Sequence, residues 1–305
     1  FLNNTKRFEA DYFHNLRTNI LWRRNASVPT SAGLSLPPEN KGEVVNQGFE
    51  FVLGYNNSSG NIRYNIDLNG SYARNEILFW DETPGIPDYQ QSTGKPMGAE
   101  LYYEAIGVFE TQADVDAYPH WAGAQAGDIK FRDVNDDGVI DGLDRVRQDK
   151  SGLPFFTGGL SASLYVGGFD FSVLFQGVSG AVAYISPESG EIGNYYNDLA
   201  VNRWRPDKPS SEYPRAWNRD NEYWRSQGNT YWLHNTDYIR IKNIEIGYNL
   251  SSRAVNSIGL AGLRVYFNGL NLFTLSKEKL IDPELTSGQA YPLQRIVNLG
   301  LTVTF

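Results

Sequence analysis

The feature that most constrains this chain is a two-residue alternation of apolar and polar side chains, sustained over unusually long segments. Ile62, Tyr64, Ile66, Leu68 and Tyr72 fall on one face of such a segment, and Arg63, Asn65, Asp67, Asn69 and Ser71 on the other. Successive side chains of a strand point to opposite sides, so the pattern predicts β-structure with one oily and one wet face. Phe49, Phe51, Leu53 and Tyr55 repeat it upstream. Leu160, Ala162, Leu164 and Val166, then Phe169, Phe171, Val173 and Phe175, repeat it downstream. Ile244, Ile246, Tyr248 and Leu250 form a further face. Ile239 and Ile241 are one phase out, which predicts a β-bulge near Lys242–Asn243. Leu263, Val265 and Phe267 follow, then Val297, Leu299, Leu301, Val303 and Phe305. With a first strand over Phe8–Trp22, the count is about eight strands.

Most of these segments reach the roughly 9–11 residues that a tilted strand needs to cross a bilayer, whereas strands of soluble domains run to about 5–6. Their connections alternate in length. Asn56–Asn61, Gly167–Gly168 and Ser251–Ala261 are short and rich in Gly, Asn and Ser, while Asn25–Gly42, Trp80–Pro154, Ser179–Tyr231 and Ser276–Pro292 are long and irregular. Outer-membrane barrels alternate brief turns on one rim with large external loops on the other. The apolar faces carry almost no charge, whereas the opposing faces hold Glu50, Arg63, Asp67 and Asp170. A secreted β-sandwich, a carbohydrate-binding module or glycoside hydrolase stabilised by calcium, also gives one apolar face per strand. Strand lengths and loop asymmetry favour the barrel.

Composition is compatible with that reading. Of 305 residues, 41% are hydrophobic, and no run approaches the roughly 18 apolar residues of a spanning helix. Barrel strands dilute their apolar content by alternation, and 14% aromatic residues would supply interfacial girdles. The absence of cysteine removes disulfides and thiolate chemistry. A net charge of -8 argues against a nucleic-acid partner. The chain opens at Phe1-Leu2-Asn3-Asn4 without an export signal, which leads to the expectation that it is one piece of a longer protein. Its closing strand ends on Phe305, which looks like an outer-membrane insertion address.

One loop carries a metal-binding pattern. Asp133, Asn135, Asp137, Val139, Asp141 and Asp144 occupy positions 1, 3, 5, 7, 9 and 12 of a calcium loop, with Gly138 at the sharp turn and Val139 offering its carbonyl. Asp stands where Glu is usual at the last position. A bound Ca2+ would stiffen the loop rather than catalyse; Arg132, Arg145 and Arg147 offer another way to neutralise the turn. Thr111-Gln112-Ala113-Asp114 predicts a capping box opening a short helix to about Tyr118. Tyr195–Trp204 predicts another, ended by Pro206. Trp121, Trp204, Trp217, Tyr223 and Trp224 are either sugar-stacking platforms or the loops' own core. His14, His120 and His234 are isolated, and no nucleophile elbow or phosphate loop is present, so no catalytic residue is assigned and the chain is not read as an enzyme.

Several segments resemble the SusC/RagA family of TonB-linked outer-membrane importers of Bacteroidetes. They are Asn46-Gln47-Gly48-Phe49-Glu50, Ala73-Arg74-Asn75-Glu76-Ile77, Gly127-Asp128-Ile129-Lys130, Tyr213-Pro214-Arg215-Ala216, Tyr238-Ile239-Arg240-Ile241-Lys242-Asn243-Ile244, Asn271-Leu272-Phe273-Thr274, Asp282-Pro283-Glu284 and the closing strand. The resemblance implies an all-β, antiparallel transmembrane barrel of about 22 strands. Residues 1–305 would supply roughly the last eight, with plug domain and N-terminal strands outside this chain. It further implies a Gram-negative outer-membrane location with lipid around the wall. The implied partners are a SusD-like surface lipoprotein, the remaining plug and barrel, TonB through the missing N-terminal part, and oligosaccharide or peptide cargo.

Overall fold

The computed structural model describes residues 5–23, 33, 36–185, 195–216, 228–257, 259–285 and 290–305, the side chains of 252 and 254 excepted. Eight long strands dominate: β1 (Lys6–Trp22), β2 (Glu39–Asn57), β3 (Ile62–Phe79), β4 (Phe156–Val166), β5 (Phe169–Ser179), β6 (Tyr238–Asn249), β7 (Gly262–Ser276) and β8 (Ile296–Thr304). They form one sheet in chain order, every neighbouring pair antiparallel. Among the described residues β1 and β8 are paired on one side only, and no second large sheet packs on this one. A sandwich requires that second layer, so the alternative reading of the alternation does not match this architecture.

Turn chemistry sets the hairpins. Gly167 and Gly168 both hold positive φ, +55° and +87°, which a two-residue turn between twisted strands requires, and Val166 sits directly opposite Phe169. Residues 58–61 and 250–261 make the other short connections, the latter carrying the helix Ser252–Asn256. β2 starts earlier than its sequence predicts. Glu39 and Asn40 pair with Trp22 and Leu21, which shortens the first long connection at the expense of the expected Asn25–Gly42 loop, most of which lies outside the described residues. The predicted bulge is present: the register of β6 shifts between Ile241 and Asn243 against both neighbours, keeping Ile239, Ile241, Ile244 and Ile246 on one side.

Register carries a single apolar face across the sheet. Tyr12 lies opposite Phe49, Phe49 opposite Tyr72, and Tyr72 opposite Phe156. Further along, nearer the short turns, Ile66 faces Ala162, Ala162 faces Val173, Val173 faces Ile244, Ile244 faces Gly269, and Gly269 faces Val297. Aromatic pairs bound the band at both ends: Phe49 stacks on Tyr72 at 5.6 Å, while Tyr55–Tyr64 at 5.7 Å and Phe169–Tyr248 at 4.6 Å lie toward the short turns. These side chains are not buried by protein. Phe8, Tyr12, Phe49, Ile66, Val265 and Leu301 are all exposed, and Leu299 retains 82% of its surface.

The buried core lies instead in the long connections. Tyr103, Trp121, Ile129, Phe131, Ile140, Leu199 and Trp232 pack together, drawing on both the β3–β4 and β5–β6 loops. Short two-stranded sheets brace this cluster: Leu101–Tyr103 with Arg145–Arg147, Ala105–Val108 with Ile129–Phe131, and Val182–Tyr184 with Leu233–Asn235. The two loops are sewn together by backbone and side-chain bonds. Tyr103 N donates to Gly228 O (2.9 Å), Val108 N to Ser211 O (3.0 Å), Ala105 N to the Thr230 hydroxyl (2.9 Å), and Trp204 Nε1 to Glu110 O (2.9 Å). Arg215 closes a buried ion pair with Asp128 at 2.6 Å. Two long loops thus make one folded module at one end of the sheet.

Candidate functional site

Three features compete for function: the polar face of the sheet, the acidic loop, and the junction between module and wall. The polar face is a network rather than a row of free charges. Arg264 on β7 bonds Asp170 on β5 and, at 2.7 Å, Glu245 on β6. Asn249 Nδ2 donates to Asp170 (2.8 Å), and Asn268 Nδ2 to Asn243 (3.1 Å) and Glu245 (3.3 Å). Gly247 sits in the same row, and a Cβ there would meet the Asp170 carboxylate and the Arg264 guanidinium. Ser71 donates to Glu50 at 2.9 Å further round. Amides, hydroxyls and paired charges of this kind line a wet surface without presenting one dominant sign of charge.

The acidic loop folds around Gly138, whose φ is +86°. Asp133 accepts from Gly138 N (2.9 Å) and Asp137 N (3.3 Å), and Asp137 accepts from Val139 N (2.9 Å). Asp141 accepts from Leu143 N (2.7 Å). Asp144, fully buried, accepts from Val134 N and Asp141 N, both 2.8 Å, and so ties the two ends of the loop together. Ile140 anchors the loop in the aromatic core. Arg132 pairs with Glu104 (2.9 Å) and Arg147 donates to the Gln90 and Ala99 carbonyls, so both are engaged away from the loop, whereas the Arg145 guanidinium lies beside Gly142. Burial, and then the charges of Asp144, Asp137 and Asp141, push the Tyr89 phenol up. Among the described residues no group of three or more His, Cys, Asp or Glu side chains gathers as a metal cage. The donor chemistry nevertheless fits a hard cation, because a carboxylate or carbonyl oxygen that accepts one N–H keeps a second lone pair.

The junction holds a dense polar cluster. Arg240 on β6 bonds Asp282 (2.7 Å) and Thr274 (2.8 Å) and lies 3.0 Å from Glu284, while Lys242 holds both Glu284 oxygens at 2.7 Å. Glu278 lies 2.6 Å from His234 Nδ1 and also accepts from Leu280 N and Ile281 N. Burial acts to raise the Glu278 carboxyl, but these partners outweigh it and hold it below the ordinary range. A cleft of about 340 Å³ opens beside this pair, lined by Asp198, Tyr213, Tyr231 and Lys277 among others. Burial, followed by Tyr213, Asp198 and Glu212, pushes the Tyr231 phenol up.

The other singled-out residues fall as follows. The Thr111 capping box is formed and opens the helix Gln112–Asp116, and the helix Asn197–Asn202 precedes Pro206. Trp121 is core, and Trp204 is a packing residue held by Glu110; Trp217, Tyr223 and Trp224 lie outside the described residues. His14 sits in β1, opposite Gln47 in the row beside the Tyr12 band, and His120 Nδ1 contacts Tyr118 O at 2.8 Å. In the sequence, Arg240 and Asp282-Pro283-Glu284 stand out only as separate segments that resemble the family, with nothing to pair them. Their separation by some forty residues hides the contact.

Comparison with known proteins supports the architecture. No protein-family profile matches the chain. TonB-dependent receptor P26 of Formosa agariphila is 26% identical over 330 residues, covering 97% of this chain and 32% of that protein. TonB-dependent receptor SusC of Bacteroides thetaiotaomicron is 27% identical over 276 residues, 88% of this chain and 27% of SusC. The solved RagAB peptide importer in its open-open state superposes with a TM-score of 0.71 at 21% identity, over 99% of this chain and 33% of that one. That likeness speaks for the fold. The chain spans about a third of the length of the curated relatives it matches.

Proposed function

We propose that this chain, a SusC/RagA-like segment of a TonB-dependent transporter, forms the last eight strands of an importer barrel in the outer membrane of a Gram-negative cell. The observation that carries the reading is the continuous apolar face, exposed from Phe8 on β1 to Leu301 on β8, on a chain whose buried core lies elsewhere. Exposed apolar area on that scale is unfavourable in water and favourable in hydrocarbon. The polar face then lines the bore, and the folded loop module stands outside the cell. A SusD-like lipoprotein covers it there, and oligosaccharide or peptide passes beneath, driven by TonB acting through the plug in the rest of the protein. Transport makes and breaks no bonds, so it needs no catalytic group. The test is lipid contact: fluorophores at Ile66, Phe171 and Leu301 in the intact receptor should be quenched by brominated acyl chains, and those at Asn65, Ser172 and Thr302 should not. Equal quenching on both faces sinks the reading.

A calcium ion held by Asp133, Asn135, Asp137, Val139 and Asp141, with Asp144 closing the loop, is part of the same proposal. Its support is the set of carboxylates folded around the Gly138 turn. Adding Ca2+ to chelator-stripped receptor should slow proteolysis between residues 132 and 145, and Asp137→Asn should abolish that protection. Protection unaffected by chelator removes the ion from the account.

A further inference from the structure

We propose that residues 277–285, the start of the β7–β8 connection, form an inward strap that narrows the bore at its external end and sets the size of cargo admitted; this rests on the importer reading above. Register fixes the side on which the strap lies. Ile239 and Ile241 belong to the apolar face, so Tyr238 and Arg240, which alternate with them, belong to the polar face with Gln176 and Thr274. Arg240 retains only 1% of its surface and Tyr238 6%. Lower on the same face, Glu245 and Arg264 keep 31% and 25% of their side-chain surface open.

The covering groups are Asp282 and Glu284 of the strap, bonded to Arg240 and Lys242. A segment that covers bore-facing side chains stands between them and the bore, and subtracts its own thickness, roughly 5–10 Å by ordinary strand and sheet spacings. Its other end is fixed as well. Glu278 bonds His234 of the β5–β6 loop, and Leu280 packs against the Trp232 cluster. Pro283, between Asp282 and Glu284, is buried, whereas Lys277 and Lys279 are exposed. The strap is therefore fastened to the wall at one end and to the external module at the other. An ion-paired guanidinium without solvent is a strong fastening, because removing one partner leaves the other charge buried and uncompensated.

The experiment is single-channel recording from the intact receptor in planar bilayers, with urea displacing the plug and graded polyethylene glycols reporting the excluded size. Asp282→Asn combined with Glu284→Gln keeps the side-chain shapes and removes the charges; Arg240→Ala is the second variant. Release of the strap should raise conductance and shift the excluded polymer to larger size in both. If Arg240→Ala fails to insert, the isosteric pair decides. A double variant that forms channels of wild-type conductance and exclusion size overturns the strap. Wild-type receptor that neither inserts nor conducts overturns the importer reading instead.

Discussion

Gly127 meets two demands at once. Its φ is +88°, a region where an L side chain is strained, and a Cβ there would lie 2.7 Å from the Trp204 ring and 2.8 Å from Arg215 Cβ. Gly60 shares the backbone demand, with φ +83°, but looks onto open space. Gly127→Ala should therefore destabilise the loop module by roughly 2–4 kcal/mol, from left-handed strain plus overpacking. Gly60→Ala should cost only the backbone part, about 1–2 kcal/mol. Hydrogen exchange of residues 105–131 separates the two: faster in the first variant, unchanged in the second. Within the sheet, glycine serves another end. Gly70 leaves room for the Phe51 ring, which a Cβ would approach to 2.6 Å. Such seats are invisible in the sequence, because Phe51 and Gly70 become neighbours only once β2 and β3 are in register.

At the scale of elements, the strands and the two short loop helices are legible in the sequence and the long-range contacts of the loops are not, for one physical reason. A strand's oily face repeats every two residues, so its extent and even its bulge can be read locally; the phase change between Ile241 and Ile244 locates the shift at Lys242. A loop's contacts are made across the chain. Ala105 finds Thr230 and Arg215 finds Asp128, separations of 125 and 87 residues, with no period to announce them. The aromatic residues were readable as a private core or a binding platform, and only the packing of Trp121 against Phe131 at 5.2 Å decides for that residue. The Glu278–His234 pair belongs to the same class of distant contact, and it makes a pH-dependent prediction. Because the Glu278 carboxyl is depressed below its ordinary value of 4.5 in the folded protein, its stabilisation is complete above that pH and is lost as pH falls through the depressed value. Protease cleavage within 277–285 should accordingly rise on acidification below pH 4.5. Glu278→Gln should raise it at neutral pH too, by the roughly 1–3 kcal/mol of charge-assisted bonds removed. Cleavage that is flat with pH and unaffected by the substitution would show that the pair does not hold the strap.

For the whole molecule, the decisive property is that the usual distribution of side chains is inverted in one half and ordinary in the other. The loop module buries Phe109, Phe131, Ile129 and Trp232 almost completely, as any water-soluble fold would. The sheet instead turns Phe8, Leu53, Ile66, Phe169, Ile246 and Leu299 outward, and keeps Asp170, Glu245 and Arg264 on its other side. Two solvents are needed to satisfy one chain. Among the described residues the outer sides of β1 and β8 are unpaired, and open edges offer free N–H and C=O groups that hydrocarbon cannot satisfy. Under the importer reading, further strands complete the wall. Arginine placed on the two faces of one strand tests this directly. Ile66 and Asn65 are adjacent in β3 and differ only in the side they present. In the intact receptor folded into lipid vesicles, Ile66→Arg should destabilise by about 2–4 kcal/mol if the position lies near mid-membrane. Asn65→Arg, on the wet side beside Asp67, should cost well under half as much. Denaturant titration of both variants measures the difference, and equal costs would mean that the two faces do not meet different solvents.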